Sequence, residues 1–159
     1  MNAAEFSAVN VHTVIGETLS LLEHPLKTAR IGVRSELFAG IPMILGNAGK
    51  LQQVFLNLFL NARDAMPDGG MLEIRTSNSD GRIEIVIKDS GVGISREHMK
   101  KIYDPFFTTK TAGKGTGLGL SVSYGIVQEH GGSISVESNL GSGTSFRLEF
   151  PLSRKVLNV

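Results

Sequence analysis

Apolar residues recur at three- and four-residue steps in three stretches of the chain, and each stretch predicts an amphipathic helix. The first covers residues 11–28. The second covers residues 51–66, with Asn47 as its candidate N-cap. The third begins at residue 118 and ends at the Gly131-Gly132 pair, because glycine commonly follows the last turn of a helix.

Other stretches alternate apolar and polar residues, which is the pattern of β-strands with one buried face. They cover residues 31–37, 71–76, 82–88, 134–136 and 146–150. The Asn78-Ser79-Asp80-Gly81 segment between the second and third of them predicts an antiparallel hairpin. Helices combined with a largely antiparallel sheet place the chain in the α+β class.

The bulk composition narrows the functional class. The chain has 159 residues and a mass of 17.1 kDa, which fits one domain with a substantial core. Its 16 basic residues nearly balance 15 acidic ones, so we expect neither nucleic-acid binding nor direct membrane contact. Cysteine is absent and no apolar run is long enough to span a bilayer, so we expect a soluble, cytoplasmic protein. We assign residues 10–152 to the domain, residues 1–9 to an irregular linker or expression remnant, and residues 153–159 to a tail.

The helix predicted over residues 51–66 carries a narrow polar stripe on an otherwise apolar surface. Gln53, Asn57, Asn61 and Asp64 fall together on a helical wheel. Buried amides cost about 1 to 3 kcal/mol each when they lack partners, so they should bond either neighbouring loops or a ligand. An amide oxygen suits Mg²⁺, which Asn61 can bind directly. Asn57, one turn earlier, can contact the metal shell or attached phosphates.

Two glycine-rich segments frame the rest of the candidate site. Residues 89–93, Asp-Ser-Gly-Val-Gly, follow a predicted strand. The Asp89 carboxylate can accept a hydrogen bond from the amino group of adenine and would reject the carbonyl group of guanine. Taken alone, this segment is equally typical of an ordinary turn.

The second segment, residues 113–120, reads Gly-Lys-Gly-Thr-Gly-Leu-Gly-Leu and precedes a helix. It can present backbone N–H groups to phosphates. It is neither a Walker A loop nor the dinucleotide fingerprint. The chain also lacks the H-R-D and D-F-G triplets of eukaryotic protein kinases.

The segment between the glycine boxes has the composition of a lid. Aromatic residues at 103–107 can anchor it, and Lys110 and Lys114 lie in a glycine-flanked remainder. Such a segment can close over a triphosphate and screen its charge. An ordinary mobile loop with solvated lysines would have the same composition.

Taken together, these segments resemble the ATP-binding catalytic domain of bacterial sensor histidine kinases, within the superfamily that includes gyrase, Hsp90-type chaperones and mismatch-repair ATPases. Five family motifs occur in order: the N box at 57–65, the first glycine box at 89–93, the F box at 104–107, the second glycine box at 115–120, and the last motif at 141–144. The Asn-Ala-Arg-Asp-Ala-Met and Pro-Phe-Phe-Thr-Thr-Lys runs are especially similar to the nitrogen-regulation and dicarboxylate-sensing subgroup.

The resemblance implies a Bergerat-type fold, a two-layer α/β sandwich in which helices cover a mixed, mostly antiparallel sheet, with ATP and Mg²⁺ as cofactors. It assigns Asn61 to Mg²⁺, and it makes Asn57, at the metal and phosphates, and Lys110, at the phosphates, the candidate catalytic residues. It assigns Asp89 to the adenine amino group and Thr144 to the same side of the base. The other residues expected to line the nucleotide site are Gly91, Gly93, Ile94, Gly115, Gly117, Leu118, Gly119 and Leu120.

The resemblance also implies partners. The histidines at 12, 24, 98 and 130 lack the acidic neighbour and the following Asn or Thr that mark the family's phosphorylated histidine. We therefore expect this chain, itself monomeric, to pass the γ-phosphoryl group of ATP to a histidine on a helical hairpin elsewhere in the full-length kinase. That histidine would then pass it to an aspartate of a response-regulator receiver domain.

Three alternatives stay open. An ATP hydrolase of the gyrase or chaperone type would position water with a glutamate, and the matching residue here is Asn57, which cannot act as a base. A serine kinase of the anti-sigma-factor type shares the same pocket. A nucleotide-binding interaction module without catalysis would keep the same motifs.

Overall fold

The computed structural model describes residues 6–100 and 118–153, with residues 118 and 119 described by their backbone alone. The strands are β1 (Ser7–Asn10), β2 (Ile31–Glu36), β3 (Met43–Gly46), β4 (Gly70–Ser79), β5 (Arg82–Asp89), β6 (Ser133–Asn139) and β7 (Gly143–Pro151). The helices are α1 (Val11–Leu21), α2 (Glu23–Thr28), α3 (Ala48–Ala65), α4 (Arg96–Met99) and α5 (Leu118–Glu129).

A five-stranded sheet forms one layer of the molecule, in the order β2-β4-β5-β7-β6. Strand β2 runs parallel to β4, and the other pairs are antiparallel. Strands β1 and β3 form a separate antiparallel pair. The predicted α+β class, with helices on a mixed and mostly antiparallel sheet, is therefore confirmed.

The main core lies between the inward face of the sheet and helix α3. Alternate residues of β5 point inward, and Ile83, Ile85 and Ile87 are at most 2% exposed. Helix α3 contributes Phe55 and Phe59, whose buried rings stack with their centroids 6.2 Å apart. Burial of each such side chain contributes about 1.5 to 3 kcal/mol. This packing fixes α3 against the central strands.

The predicted hairpin is confirmed as β4 and β5. Ser79 pairs with Arg82, so the loop between them consists of two residues. Those residues, Asp80 and Gly81, have φ angles of 53° and 74°. Positive φ at both loop positions is the type I′ geometry that matches the twist of the flanking strands. The tight loop fixes the register of β4 against β5, and this register sets the position of Asp89 at the end of β5.

Helix α3 also begins where the sequence predicts. The Asn47 side-chain oxygen accepts a hydrogen bond from the Lys50 N–H at 2.9 Å. This bond satisfies one of the free N–H groups at the start of the helix, and such a cap usually contributes about 1 kcal/mol. The cap therefore stabilises the start of the helix that carries the candidate polar stripe.

The single helix predicted over residues 11–28 is wrong, because the structure divides it at Leu22. Helix α1 ends at Leu21 and α2 begins at Glu23. In one continuous helix, Pro25 would have to donate to the carbonyl of Leu21. Proline has no N–H, and its ring collides with that carbonyl, so the helix breaks there.

The irregular segment predicted over residues 1–9 is wrong from Ser7 onward. Strand β1 begins there and pairs with β3, so that Val9 lies opposite Ile44 in the register. Both side chains are buried, at 5% and 1% exposure. Each strand has only four residues, which is too short for alternation to be recognised, and their pairing joins distant parts of the sequence.

Candidate functional site

The Asp89 carboxylate is held in place by backbone N–H groups at the end of β5. Asp89 is the last residue of β5 and is 6% exposed. Its Oδ1 atom accepts hydrogen bonds from the backbone N–H of Gly91 at 2.8 Å and of Thr144 at 3.3 Å. Among the described residues, Oδ2 accepts none, so one carboxylate oxygen is held while the other keeps its capacity to accept.

Burial raises the pKa of Asp89, and the hydrogen bonds from Gly91 and Thr144 partly oppose that rise. Removing a carboxylate from water disfavours its charged form, whereas N–H donors favour it. The carboxylate therefore lacks part of the solvation it would have in water. A ligand that donates a hydrogen bond to Oδ2 would restore some of it.

The first glycine box is clamped on one side by the end of α3. The Val92 N–H donates to the carbonyl of Ala65, the last residue of the helix, at 2.9 Å. A side chain at Gly91 would overlap that same carbonyl. Glycine at this position therefore lets the backbone approach the helix end closely.

The turn between β6 and β7 clamps the other side of the box. The Gly141 N–H donates to the Val92 carbonyl at 2.8 Å. Gly93 has a φ of 77°, and a side chain there would overlap the carbonyl of Asn139. Both the backbone angle and the space require glycine at this position.

Ser138 joins the glycine box to β7, although it was not among the predicted site residues. Its hydroxyl oxygen accepts from the Ile94 N–H at 2.7 Å, donates to the Gly143 carbonyl at 2.8 Å, and lies 2.8 Å from the Thr144 hydroxyl oxygen. A serine has one proton to give, so the Thr144 hydroxyl is the donor in that last contact. Lone pairs on the Thr144 oxygen stay available to a ligand or to water.

Ser138 could have been identified from its sequence position, because it places a polar side chain on the inward-facing side of β6. Ile134 and Val136 precede it at two-residue steps on the same face of β6. A serine that continues such an apolar series needs partners, because a buried hydroxyl without them is costly.

The polar stripe of α3 faces α5 in part. Asn57 is half-buried, and its side-chain nitrogen donates to the hydroxyl of Ser123 at 3.3 Å. Ser123 lies in α5 and is fully buried. Asn61 is half-buried one turn further along α3, whereas Gln53 is exposed. Ser123 was not among the predicted site residues.

Several predicted site residues lie outside the described structure. These are Lys110, Gly115 and Gly117. Leu118 and Gly119 form the first turn of α5, and the half-buried Leu120 packs against the core. Helix α5 therefore begins at residue 118, as the sequence predicts.

Metal ligands of the usual kind are not grouped in the part of the chain that the structure covers. Within residues 6–100 and 118–153, no three histidine or carboxylate side chains come together in a way that would hold a metal ion. A cation here would rely on amide oxygens, water and ligand atoms. None of the described helices has the length and apolar character needed to traverse a lipid bilayer.

The family model described as "Histidine kinase-, DNA gyrase B-, and HSP90-like ATPase" matches residues 46–154. Sporulation kinase A of Bacillus subtilis (strain 168) is 38% identical over 143 residues, which cover 90% of this chain and 23% of that protein. Sensor histidine kinase ZraS of Escherichia coli (strain K12) is 38% identical over 146 residues, which cover 92% of this chain and 31% of that protein. The chain thus spans less than a third of the length of these relatives.

Solved structures agree with the sequence relatives. The catalytic domain of histidine kinase ThkA superposes with a TM-score of 0.83 at 32% identity, over 93% of this chain and 96% of that chain. Histidine kinase ThkA in complex with response regulator protein TrrA gives a TM-score of 0.79 at 29% identity, over 94% of this chain and 42% of that chain. The chain therefore belongs to the histidine kinase-, DNA gyrase B- and HSP90-like ATPase family, and within it to the ATP-binding catalytic domains of sensor histidine kinases.

Proposed function

We propose that this chain binds Mg-ATP and donates the γ-phosphoryl group to a histidine on a helical hairpin elsewhere in a two-component sensor kinase. The observation that carries the proposal is the arrangement at Asp89, where one carboxylate oxygen is held by two backbone N–H groups and the other can accept. The proposed domain, residues 10–152, extends back to Ser7 because β1 belongs to the fold.

The residues around Asp89 fit an adenine base. An exocyclic amino group donates hydrogen bonds, and Asp89 Oδ2 can accept one. The Thr144 hydroxyl oxygen, oriented through Ser138, offers a second acceptor on the same side. Gly91, Gly93 and Ile94 would form the wall beside the base, because the clamped glycine box brings bare backbone to this edge.

The residues on α3 fit a Mg²⁺ ion held mostly by phosphate and water oxygens. Mg²⁺ usually takes one or two protein oxygens, and Asn61 would supply an amide oxygen to it. Asn57, one turn away, would contact the metal shell and the phosphates. When bound, Mg²⁺ would neutralise charge on the phosphate oxygens.

The lid and the second glycine box would complete the phosphate side of the site. Lys110 would contact the phosphates directly. The backbone from the second box into α5 would offer N–H donors at a helix N-terminus. Its residues are Gly115, Gly117, Leu118, Gly119 and Leu120.

Two histidines of the chain are committed to the fold, which favours an acceptor elsewhere. The His12 Nε2 atom lies 2.8 Å from the Thr76 hydroxyl oxygen, and burial lowers the pKa of His12. His130 is 5% exposed, and its Nε2 accepts from the Asn47 N–H at 3.1 Å. The relatives are much longer than this chain, so a hairpin has room outside it.

The same site favours transfer over hydrolysis. In the ATP hydrolases of the superfamily that this chain resembles, a glutamate stands at the position of Asn57. An amide cannot take a proton from water, so Asn57 cannot replace that glutamate as a base. Imidazole is already a nucleophile, so transfer to histidine needs positioning and charge stabilisation rather than a base. By similarity to the ThkA–TrrA complex, a response regulator would receive the phosphoryl group next. We place this chemistry in the cytoplasm and propose that this chain is itself a monomer.

The test is to incubate the chain with γ-labelled ATP, the separately produced hairpin of its full-length kinase, and a receiver domain. We expect acid-labile label on the hairpin, followed by its transfer to the receiver domain. Acid-stable label would instead indicate a serine kinase, and phosphate release without labelled protein would indicate a hydrolase. Nucleotide binding without any turnover would indicate an interaction module.

A further inference from the structure

The Ser138 hydroxyl on β6 makes three polar contacts, which together use all of its hydrogen-bonding capacity. Its oxygen lies 2.7 Å from the Ile94 backbone nitrogen, 2.8 Å from the Gly143 carbonyl oxygen and 2.8 Å from the Thr144 hydroxyl oxygen. A serine hydroxyl can donate one hydrogen bond and accept two. The three contacts therefore saturate it.

The chemistry of the partners allows one assignment of the protons. A backbone N–H only donates, so Ser138 accepts from Ile94, and a carbonyl oxygen only accepts, so Ser138 gives its single proton to Gly143. If Ser138 gave that proton to Thr144 instead, lone pairs on the Ser138 and Gly143 oxygens would face each other at 2.8 Å. The Thr144 hydroxyl is therefore the donor toward Ser138.

This assignment makes the Thr144 hydroxyl an acceptor toward any ligand, because its own proton is directed at Ser138. Thr144 is 5% exposed and pairs with Asp89 across β5 and β7. An ionised carboxylate also accepts and never donates. Two groups that accept hydrogen bonds and cannot donate them thus lie side by side at this edge.

We propose that Ser138 is a positioning residue that sets the base specificity of the site, because it takes the proton that Thr144 could otherwise give to a ligand. An edge that only accepts suits the amino group of adenine and gives no hydrogen bond to the carbonyl that guanine and hypoxanthine carry at the same position. The inference rests on the proposed function for the identity of the base, but the contacts of Ser138 need no ligand. Ser138 acts through Thr144 and itself touches no nucleotide atom.

The first readout uses the chain without nucleotide. In Ser138→Ala we expect the Ile94 backbone N–H to exchange with water about 2- to 12-fold faster by NMR, the size of one lost hydrogen bond. Ser138→Thr keeps a hydroxyl at this position and should retain the exchange rate of the unmodified chain. The matched control is Ser135→Ala, which removes an exposed hydroxyl from the same strand and should leave Ile94 exchange unchanged.

The second readout compares the calorimetric affinities for ATP and for inosine triphosphate, which carries a carbonyl in place of the amino group. In Ser138→Ala the Thr144 hydroxyl is free to turn and donate to that carbonyl. We therefore expect the preference for ATP to fall about 2- to 12-fold. A merely loosened glycine box would weaken both nucleotides alike and leave the ratio unchanged. Ser138→Thr and Ser135→Ala should keep the full preference.

A double substitution tests whether the effect passes through Thr144. Thr144→Val has no hydroxyl to donate or accept, so adding Ser138→Ala to it should cause no further change in the ratio of the two affinities. A further fall in that ratio would overturn the proposal. If Ser138→Ala does not fold, Ser138→Cys takes its place in both readouts, because a thiol fills the same space and is a weak acceptor.

The failure of this proposal is distinguishable from the failure of the proposed function. If the unmodified chain prefers ATP and Ser138→Ala keeps the whole preference, Ser138 does not set the specificity, whereas the proposed function stands. If the unmodified chain binds neither nucleotide, the proposed function is overturned and the specificity role with it. Ile94 exchange without nucleotide then still decides whether the Ser138 hydroxyl holds the glycine box.

Discussion

Asp89 and Thr144 lie directly opposite each other on β5 and β7, and the Thr144 N–H donates to Asp89 Oδ1 at 3.3 Å. Both residues are nearly buried, at 6% and 5% exposure. The ladder between the two strands thus places a carboxylate and a threonine hydroxyl side by side. Together they form an edge that can recognise a hydrogen-bond donor.

Replacing Asp89 with Asn should weaken the preference for ATP over GTP. An asparagine can keep its oxygen on the Gly91 and Thr144 N–H groups, which turns an NH₂ group toward the ligand in place of an acceptor. Hydrogen bonds to charged groups contribute about 1.5 to 3 kcal/mol, so we expect the ratio of the two calorimetric affinities to fall about 10- to 100-fold.

The control for this substitution is Asp68→Asn, which makes the same change of charge at an exposed position. It should keep the ratio of the unmodified chain. An Asp89→Asn variant with unchanged affinities for both nucleotides would remove Asp89 from base recognition.

Acidification should weaken adenosine binding at a pH above that at which an ordinary aspartate titrates. Burial raises the pKa of Asp89 above 3.8, so its carboxylate is protonated sooner as the pH falls. A protonated carboxyl no longer offers the same acceptor, so affinity is full above the raised pKa and declines below it. Adenosine is the appropriate probe because it has no phosphate that titrates.

The same shift has a consequence for stability. The pKa of Asp89 is higher in the folded chain than in the unfolded chain. The contribution of Asp89 to the free energy of unfolding is therefore fully present below pH 3.8 and is lost as the pH rises through the raised pKa. Asp89→Asn should remove both pH dependences. If adenosine binding by this variant weakens at the same low pH as binding by the unmodified chain, a group other than Asp89 causes that pH dependence.

Replacing Gly93 with Ala should destabilise the fold more than replacing Gly141 with Ala. Both glycines have positive φ, at 77° and 81°, so both substitutions incur about 1 to 2 kcal/mol of backbone strain. Only at Gly93 would the added methyl group overlap a backbone atom, the Asn139 carbonyl, whereas the space around Gly141 is open.

We expect the overlap to add at least about 1 kcal/mol to the free-energy loss, measured by urea denaturation. Equal losses for the two variants would show that the glycine box is not held against the β6–β7 turn.

Replacing Asn61 with Ala should abolish the gain in nucleotide affinity that Mg²⁺ provides. An alanine offers no oxygen to the ion, while the adenine edge at Asp89 is unaffected. Gln53→Ala is the matched control, because it removes an exposed amide from the same stripe of α3. Calorimetry with and without Mg²⁺ distinguishes the two variants, and a retained gain in Asn61→Ala would exclude Asn61 from the metal shell.

The fold was predictable wherever local pattern determines structure. Helix α3 has 18 residues and a side-chain cap, and the β4–β5 hairpin has a two-residue loop, so both are specified by neighbouring residues. Strands β1 and β3 were not predictable, since four-residue strands form only by pairing across the sequence. The break at Leu22 was readable in principle from Pro25.

The candidate site divides in the same way. Asp89, Gly91 and Gly93 were identifiable because a carboxylate and two glycines at a strand end are a local signal. Ser123 and Ser138 were not, because their importance comes from which distant side chain or N–H group meets each hydroxyl. Both occupy positions where the surrounding pattern calls for an apolar residue, and that mismatch is the signal a sequence can offer.

We propose that Mg-ATP binds between the Asp89 edge and the polar stripe of α3. The decisive measurement is a crystal structure of the chain with Mg²⁺ and a saturating non-hydrolysable ATP analogue. We predict the adenine amino group within hydrogen-bonding distance of Asp89 Oδ2 and the ion coordinated by the Asn61 side-chain oxygen. An analogue bound elsewhere, or an empty site at saturating concentration, would rule out this binding mode.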